Sequence, residues 1–339
     1  MTEAMLYSRS DDKTVSCDLC AHRCSIPEGK TGLCMVRLNQ DGVLYSQVYG
    51  KLIASNTDPI EKKPLFHIKP GSTAYSVATV GCNFRCRWCQ NWEISQMPLE
   101  NGTIAGREQS PEETVRKAIE AGCASIAYTY TEPTIYFEYA YDTAKIAHEK
   151  GLLNVFVTNG YMTREALEMI APYLDAANVD LKAFRDEAYR NGTGARRAPV
   201  LDSMKSMKEL DIWVEVTTLI VPGFNDDMDE IHDAARFIVE ELGPETPWHL
   251  SRYHPSYRYL EKEATPIYTM ENALKIGKEA GLRYVYLGNI GVESDTYCHI
   301  CSSELIRRQG FWVSQNSITS VGTCPNCDTP VAGVAMESR

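Results

Sequence analysis

Three cysteines fall within eight residues, Cys82-Asn-Phe-Arg-Cys86-Arg-Trp-Cys89, at spacings of four and three. An apolar run from Ala74 to Val80 precedes them and reads as a β-strand ending at Gly81. A [4Fe–4S] cube takes one ligand per iron, and cysteine thiolates are the usual donors. A compact loop offering three thiolates leaves one iron open to a ligand that is not protein. The amino and carboxylate groups of an amino acid can chelate such an iron. The alternative is a structural zinc loop with a distant fourth ligand. Zinc loops normally pair two-cysteine knuckles, and this spacing, with the aromatic Trp88 just before the last cysteine, favours the cluster.

Nine further cysteines bring the total to twelve. Cys17, Cys20, Cys24 and Cys34 lie in a turn-rich stretch with Pro27, Gly29 and Gly32. So short a stretch builds no core of its own, so a metal must staple it. Zinc held by four thiolates is the first choice and a second iron–sulfur cluster the alternative. Near the other end, Cys298-His-Ile-Cys301 and Cys324-Pro-Asn-Cys327 form two C-x2-C knuckles of the zinc-ribbon or rubredoxin-like kind, a geometry that also accepts iron. In a reducing compartment such groups mean metal rather than disulfides. Cys123 stands apart before an apolar run and reads as a small buried hydrophobe.

These residues need a scaffold, and the pattern from Ala74 onward supplies one. Strand candidates cover 74–80, 124–130, 153–158, 176–182, 212–221, 248–253 and 283–288. Helical stretches lie between them near 111–122, 134–150, 162–172, 200–209, 226–242 and 270–281. Ser110-Pro-Glu-Glu113 is a capping box with proline at the first helical position, and Gly151 and Gly281 stand where helices should stop. A repeated β-α order implies an α/β fold with a parallel sheet and helices outside it. The number of units suggests a partial (β/α)6-type parallel barrel rather than a full eight. Chemistry in such folds sits at the carboxyl ends of strands, where the Cys82–Cys89 loop falls. The expected organisation is a four-cysteine module and lead-in segment over 1–70, the partial barrel over 71–290, and a second four-cysteine module over 291–339.

At 339 residues and 44% hydrophobic, the chain can bury a full core with small appendages. Its apolar runs stop short of a membrane span, and Met-Thr-Glu-Ala-Met-Leu-Tyr lacks the order of a secretion signal, which points to the cytoplasm. A net charge of −11 disfavours a broad nucleic-acid surface. The sequence has no internal repeat, heptad pattern or Walker-type phosphate loop.

The stretch Gly-Cys-Asn-Phe-Arg-Cys-Arg-Trp-Cys-Gln-Asn-Trp-Glu-Ile-Ser-Gln matches the C-x3-C-x2-C signature of radical S-adenosylmethionine (SAM) enzymes. It resembles the radical SAM member of the AmmeMemoRadiSam set, a relative of the pyruvate formate-lyase activating enzymes. The resemblance covers most of the chain and implies a [4Fe–4S] cluster whose open iron binds SAM, with Trp88 packing near them. It implies that one electron cleaves SAM to methionine and a 5′-deoxyadenosyl radical, which takes hydrogen from a substrate. A low-potential donor, flavodoxin or ferredoxin, and oxygen sensitivity follow.

Strand ends extend the resemblance. In Tyr128-Thr-Tyr-Thr-Glu132-Pro133, the glutamate and proline match a Gly-Gly-Glu-Pro stretch that holds the methionyl ammonium, while Tyr130 and Thr131 replace its glycines. Thr158, Asn159, Asp180 and Lys182 resemble the part around the cofactor carboxylate, with Lys182 as its partner. His232 keeps a proline-to-histidine spacing that would set it near the ribose or carboxylate. Tyr253 and His254 are substrate-side candidates. Arg185, Arg190, Arg196 and Arg197 form a basic loop, either receiving an anion or solvated. Three functions follow: a radical enzyme acting on a small molecule, lipid precursor or RNA; an activase acting on a glycyl radical enzyme; and a non-catalytic electron carrier. The flanking cysteine modules favour the first.

Overall fold

The computed structural model describes residues 1–291 and 294–337. Its main sheet has eight strands: β1 (Ala54–Pro59), β2 (Thr73–Ala78), β3 (Ser125–Tyr128), β4 (Leu153–Thr158), β5 (Ala176–Asp180), β6 (Trp213–Ile220), β7 (Trp248–Arg252) and β8 (Val285–Gly288). They lie in chain order across the sheet, β2 to β8 all parallel and β1 antiparallel to β2. The sheet is open, so the expected partial barrel takes the form of a sheet that does not close. All seven anticipated strands are present. β1, in the lead-in segment, adds the antiparallel edge.

The longer helices are α1 (Pro111–Glu120), α2 (Phe137–Glu149), α3 (Arg164–Ile170), α4 (Asp186–Thr193), α5 (Arg197–Glu209), α6 (Met228–Phe237) and α7 (Ile267–Glu279). Their ends follow local chemistry. Ser110 Oγ accepts from Glu113 N at 3.2 Å, capping α1, and Asp227 caps α6 through the amides of Asp229 and Glu230. Gly151 and Gly281 hold positive φ of 75° and 106° just beyond α2 and α7, the left-handed stop that glycine adopts without a Cβ penalty. One core of buried aliphatic and aromatic side chains runs between sheet and helices.

The segments outside this sheet are tied to it by buried charge. Short antiparallel strands at Thr2–Glu3, Arg37–Gln40 and Val43–Ser46 make one small sheet, and Tyr7–Arg9, Val15–Cys17 and Ser25–Ile26 another. From the first, Arg37 clamps Glu138 of α2 at 2.9 and 3.1 Å, both side chains fully buried. At the far end, Thr296–Tyr297 joins the hairpin β9 (Glu304–Gln309) and β10 (Trp312–Asn316). There the buried Arg308 donates to Phe66 O at 3.0 Å, lies over the Phe66 ring, and faces Glu61 at 3.7 Å.

Under the sheet's open side, Glu215 of β6 is fully buried. It accepts from Phe66 N (3.0 Å), His67 N (2.8 Å), Trp213 Nε1 (3.2 Å) and His249 (2.7 Å). Burial works to raise its carboxyl, but the His249 hydrogen bond and the neighbouring histidines outweigh it and hold Glu215 below the usual carboxylate range. A lowered carboxylate contributes stability that is present above its unfolded value of about 4.3 and fades as pH falls through the folded value. Glu215→Ala strands these donors, at about 1–3 kcal/mol for each buried group left unpaired. Urea denaturation at neutral pH should show a loss on the order of 4 kcal/mol, and the difference from wild type should shrink below about pH 4. An unchanged midpoint would contradict this reading of Glu215.

Candidate functional site

The Cys82–Cys89 loop leaves the carboxyl end of β2 and is held by hydrogen bonds from its own backbone. Arg85 N donates to Thr193 O at 2.7 Å and Arg87 N to Gly192 O at 3.2 Å, so the last turn of α4 receives the loop. These carbonyls are among the orphan acceptors of a helix end. The Trp88 ring packs 4.3 Å from Phe224. Around the sulfurs stand polar groups: Phe84 N at 3.4 Å and Asn159 Nδ2 at 3.9 Å from Cys82 Sγ, and Ser95 Oγ at 3.2 Å from Cys89 Sγ. Burial pushes the Cys86 thiol up to about 12 and Cys82 well above its ordinary value. Such thiols ionise when a cation takes them as ligands.

All three cysteines border one cavity of about 450 Å³ at the carboxyl ends of the strands. Its wall includes Trp88, Asn159, Asp180 and Lys182. Lys182 Nζ lies 2.8 Å from Asp180 Oδ2. Burial alone would lower the ammonium; the Asp180 charge, then Cys86, outweigh it and hold Lys182 above its usual value. The site therefore combines three thiols, a fixed cation with its counter-ion, and a carboxamide.

Glu132 is placed differently. Its carboxylate is wholly buried and accepts from Thr134 N (3.0 Å), Thr134 Oγ1 (2.5 Å), Thr158 Oγ1 (2.7 Å) and Asn159 N (2.8 Å). It caps the short helix Pro133–Tyr136 and anchors Asn159. The cavity wall at this strand end is Thr129, Tyr130 and Thr131 instead. Thr158 also sits behind the wall, joined to Glu132. Tyr130 keeps the left-handed backbone, φ 63°, that glycine would adopt. Its hydroxyl is bonded to Asp58, Lys63 Nζ lies 4.5 Å from its ring, and its carbonyl accepts from Asn91 Nδ2 at 2.7 Å.

His232 is exposed on α6 and His254 is exposed beyond β7, both away from the cavity. Tyr253 is buried with its hydroxyl donated to Tyr259 O. The basic loop after β5 is helix α4 and its surroundings. There Arg190 pairs with Asp186, Arg185 with Glu230, and Arg197 with the Phe184 carbonyl.

Sequence reasoning missed much of the wall opposite the cysteines. His249, Leu250 and Ser251 line it from β7, and their place toward the carboxyl end of a predicted strand was the available signal. Lys62 and Lys63 come from the lead-in segment, both held by Asp58 at 2.7 Å. Phe311, at the β9–β10 tip, also borders the cavity.

The two outer cysteine groups differ. The sulfurs of Cys298, Cys301, Cys324 and Cys327 all lie within 4.8 Å of one another, two pairs at 3.6 Å, a set able to hold a metal ion. Cys17, Cys20, Cys24 and Cys34 line a common smaller cavity.

Residues 76–238 match the family model of the radical SAM superfamily. The chain is 48% identical over 313 residues to the uncharacterized protein MJ0808 of Methanocaldococcus jannaschii, 92% of each chain. It is 24% identical over 182 residues to the pyruvate formate-lyase 1-activating enzyme of Escherichia coli K12, covering 51% of this chain and 71% of that one. Among solved structures, Streptococcus suis SuiB bound to S-adenosylmethionine is similar in fold, with a TM-score of 0.50, 12% identity, and 68% of this chain and 53% of that one covered. The chain belongs to the radical SAM superfamily and is an enzyme of that radical chemistry.

Gly192 is where α4 meets the site. A Cβ there would stand 2.4 Å from the Phe224 ring and 2.7 Å from Trp88 Cη2. Gly194, at φ 77°, would meet only Arg85 at 3.9 Å. Gly192→Ala should cost about 1–3 kcal/mol by overpacking and also reduce iron loading, because Trp88 must shift. Gly194→Ala should cost about 1–2 kcal/mol of left-handed strain with loading preserved. Thermal melts and iron analysis of both variants check this, and equal loading in the two would contradict the account of Trp88.

Proposed function

We propose that Cys82, Cys86 and Cys89 hold a [4Fe–4S] cluster with one open iron, that SAM completes it, and that a substrate in the adjoining cavity then loses a hydrogen atom. The observation that carries this reading is the common wall: three thiols share it with the Lys182–Asp180 pair. The pair is only partly buried, so it keeps a charged ammonium open to the cavity, and it faces the place where a ligand carboxylate would lie. When bound, the cluster and SAM supply one-electron cleavage to methionine and a 5′-deoxyadenosyl radical.

The chain's own residues do the positioning. Lys182 presents an ammonium to the methionyl carboxylate, with Asp180 fixing its direction. Asn159, anchored from behind by Glu132 and Thr158, directs its carboxamide to the Cys82 sulfur and sets the cluster's surroundings. Glu132 acts through Asn159 rather than by touching the methionyl ammonium, which is left to Thr129, Thr131 and the backbone of Tyr130. Trp88 screens the cluster from water. Residues 71–290 form the catalytic unit in this reading, and the modules at 1–70 and 291–339 close the cavity at its sides.

The substrate is a small molecule. The cavity of about 450 Å³ must also hold the cluster and SAM, and Phe311 and the Lys62–Phe66 segment border it as well, so the space left over suits a small ligand. Similarity to the pyruvate formate-lyase 1-activating enzyme favours a second reading, a glycyl radical on a partner protein. The C-terminal four cysteines hold zinc: tetrahedral Zn–S bonds of about 2.3 Å set sulfurs about 3.8 Å apart. A flavodoxin or ferredoxin in the cytoplasm supplies the electron.

Anaerobically reconstituted protein reduced with dithionite should release 5′-deoxyadenosine from SAM, measured by chromatography. Cys86→Ala should release none. Lys182→Met should weaken SAM binding about 10- to 100-fold, a loss of about 1.4–2.8 kcal/mol, while cluster content holds. Product from the Cys86 variant would refute the assignment.

A further inference from the structure

The N-terminal cysteines differ from the C-terminal ones in a way that bears on what they hold. Among the described residues, the C-terminal set converges as a single tetrahedral ion requires. Cys17, Cys20, Cys24 and Cys34 do not converge to within 4.8 Å in that way; all four instead line a cavity of about 20 Å³. That is more than the roughly 10–15 Å³ that lodges one water. A zinc ion with four thiolates leaves no such room between them. A cube with an iron at each corner does, because its four thiolates stand farther apart than those of one ion.

The remaining lining is unsuited to water and suited to a sulfur-rich group. Leu19, Ile26, Leu33 and Ile135 make the rest of the wall largely apolar. Two buried donors on it lack partners: Arg37 Nε and Asn83 Nδ2. Arg37 is 2% exposed and its other nitrogens are spent on Glu138 and Met5. Buried N–H groups are almost always paired, and cluster sulfurs accept such bonds.

The pocket also adjoins the catalytic loop. Asn83, the neighbour of Cys82, lines the N-terminal cavity, while Cys82 lines the large one. His22 Nε2 reaches Asn83 O at 2.9 Å, and Asn159 bonds the Asn83 side chain at 2.7 Å. At Gly81, φ 103°, an added Cβ would stand 2.7 Å from Val36 Cγ1 and 3.3 Å from Cys34 O. The segment carrying Cys34 is thus pressed directly on the start of the catalytic loop.

We infer that Cys17, Cys20, Cys24 and Cys34 bind a second, fully ligated [4Fe–4S] cluster that passes single electrons to the open one. The relay rests on the function proposed above; the second cluster does not. A low-potential one-electron donor reduces the outer cluster from 2+ to 1+. The outer cluster returns to 2+ as the open cluster goes from 2+ to 1+, so one electron moves and no proton is needed. The spacing of these cysteines alone favoured zinc, and the cavity reverses that preference.

The test is metal and acid-labile sulfide analysis of the full chain after anaerobic loading with iron, sulfide and zinc. The inference predicts about eight irons, about eight sulfides and about one zinc per chain. About four irons with about two zincs would overturn it. The triple variant C82A/C86A/C89A should keep about four irons and a reducible cluster visible by electron paramagnetic resonance; loss of all iron–sulfide from a folded triple variant would overturn it. Should that variant fail to fold, the wild-type stoichiometry decides alone. Reduced wild type should show two signals broadened by mutual coupling, sharpening to one in the triple variant, and two unbroadened signals would overturn the relay. A full iron complement without 5′-deoxyadenosine would defeat the catalytic reading and leave the second cluster standing.

Discussion

The site depends on how a loop of eight residues is made rigid while three of its side chains stay available. Loops carry polar backbone that must be paired, and here the partners come from another element. The amides of Arg85 and Arg87 close onto the last carbonyls of α4, and Gly81 N donates to Ile94 O at 3.1 Å. With the backbone fixed at both places, Cys82, Cys86 and Cys89 face the cavity, and Trp88 is pinned against Phe224 and Gly192. The large cavity, the Lys182–Asp180 pair and the Asn159 carboxamide all take their meaning from that fixed edge.

The outer segments act as walls rather than ornaments. Arg37 and Glu138 lock the N-terminal sheet to α2, and Arg308 locks the C-terminal hairpin to the Phe66 segment. Neither lock is cheap, since each removes a guanidinium from water. Each is matched by planar geometry: two bonds to one carboxylate for Arg37, and a ring beneath the cation for Arg308. The second lock brings Phe311 to the cavity mouth, which links a four-cysteine module to the space where a substrate would bind.

Much of the scaffold was legible in the sequence because its strands are short apolar runs separated by caps and glycines. Ser110 and Gly151 mark helix ends by local chemistry, and both do so in the structure. α4 was not legible: its exposed face carries Arg190 and Glu187, and only Ala188 and Tyr189 pack inward at its centre, so charge masks a one-sided helix. Tyr130 stands in a left-handed turn without being glycine, held by contacts from Asp58 and Lys63 that lie far away in sequence. Asp180, Lys182 and Asn159 were found from strand ends and do meet at the cavity. Glu132 and Thr158 lie one layer behind it, and Tyr253, His254 and His232 lie away from it, because a strand-end position fixes proximity to the site but not the direction of the side chain.

The most direct measurement of the open iron is electron–nuclear double resonance on the reduced, SAM-bound protein, using SAM labelled with 15N in its amino group and 17O in its carboxylate. The account predicts hyperfine coupling of both labels to the cluster in the wild type. A reduced cluster with SAM bound and no coupling to either label would contradict it.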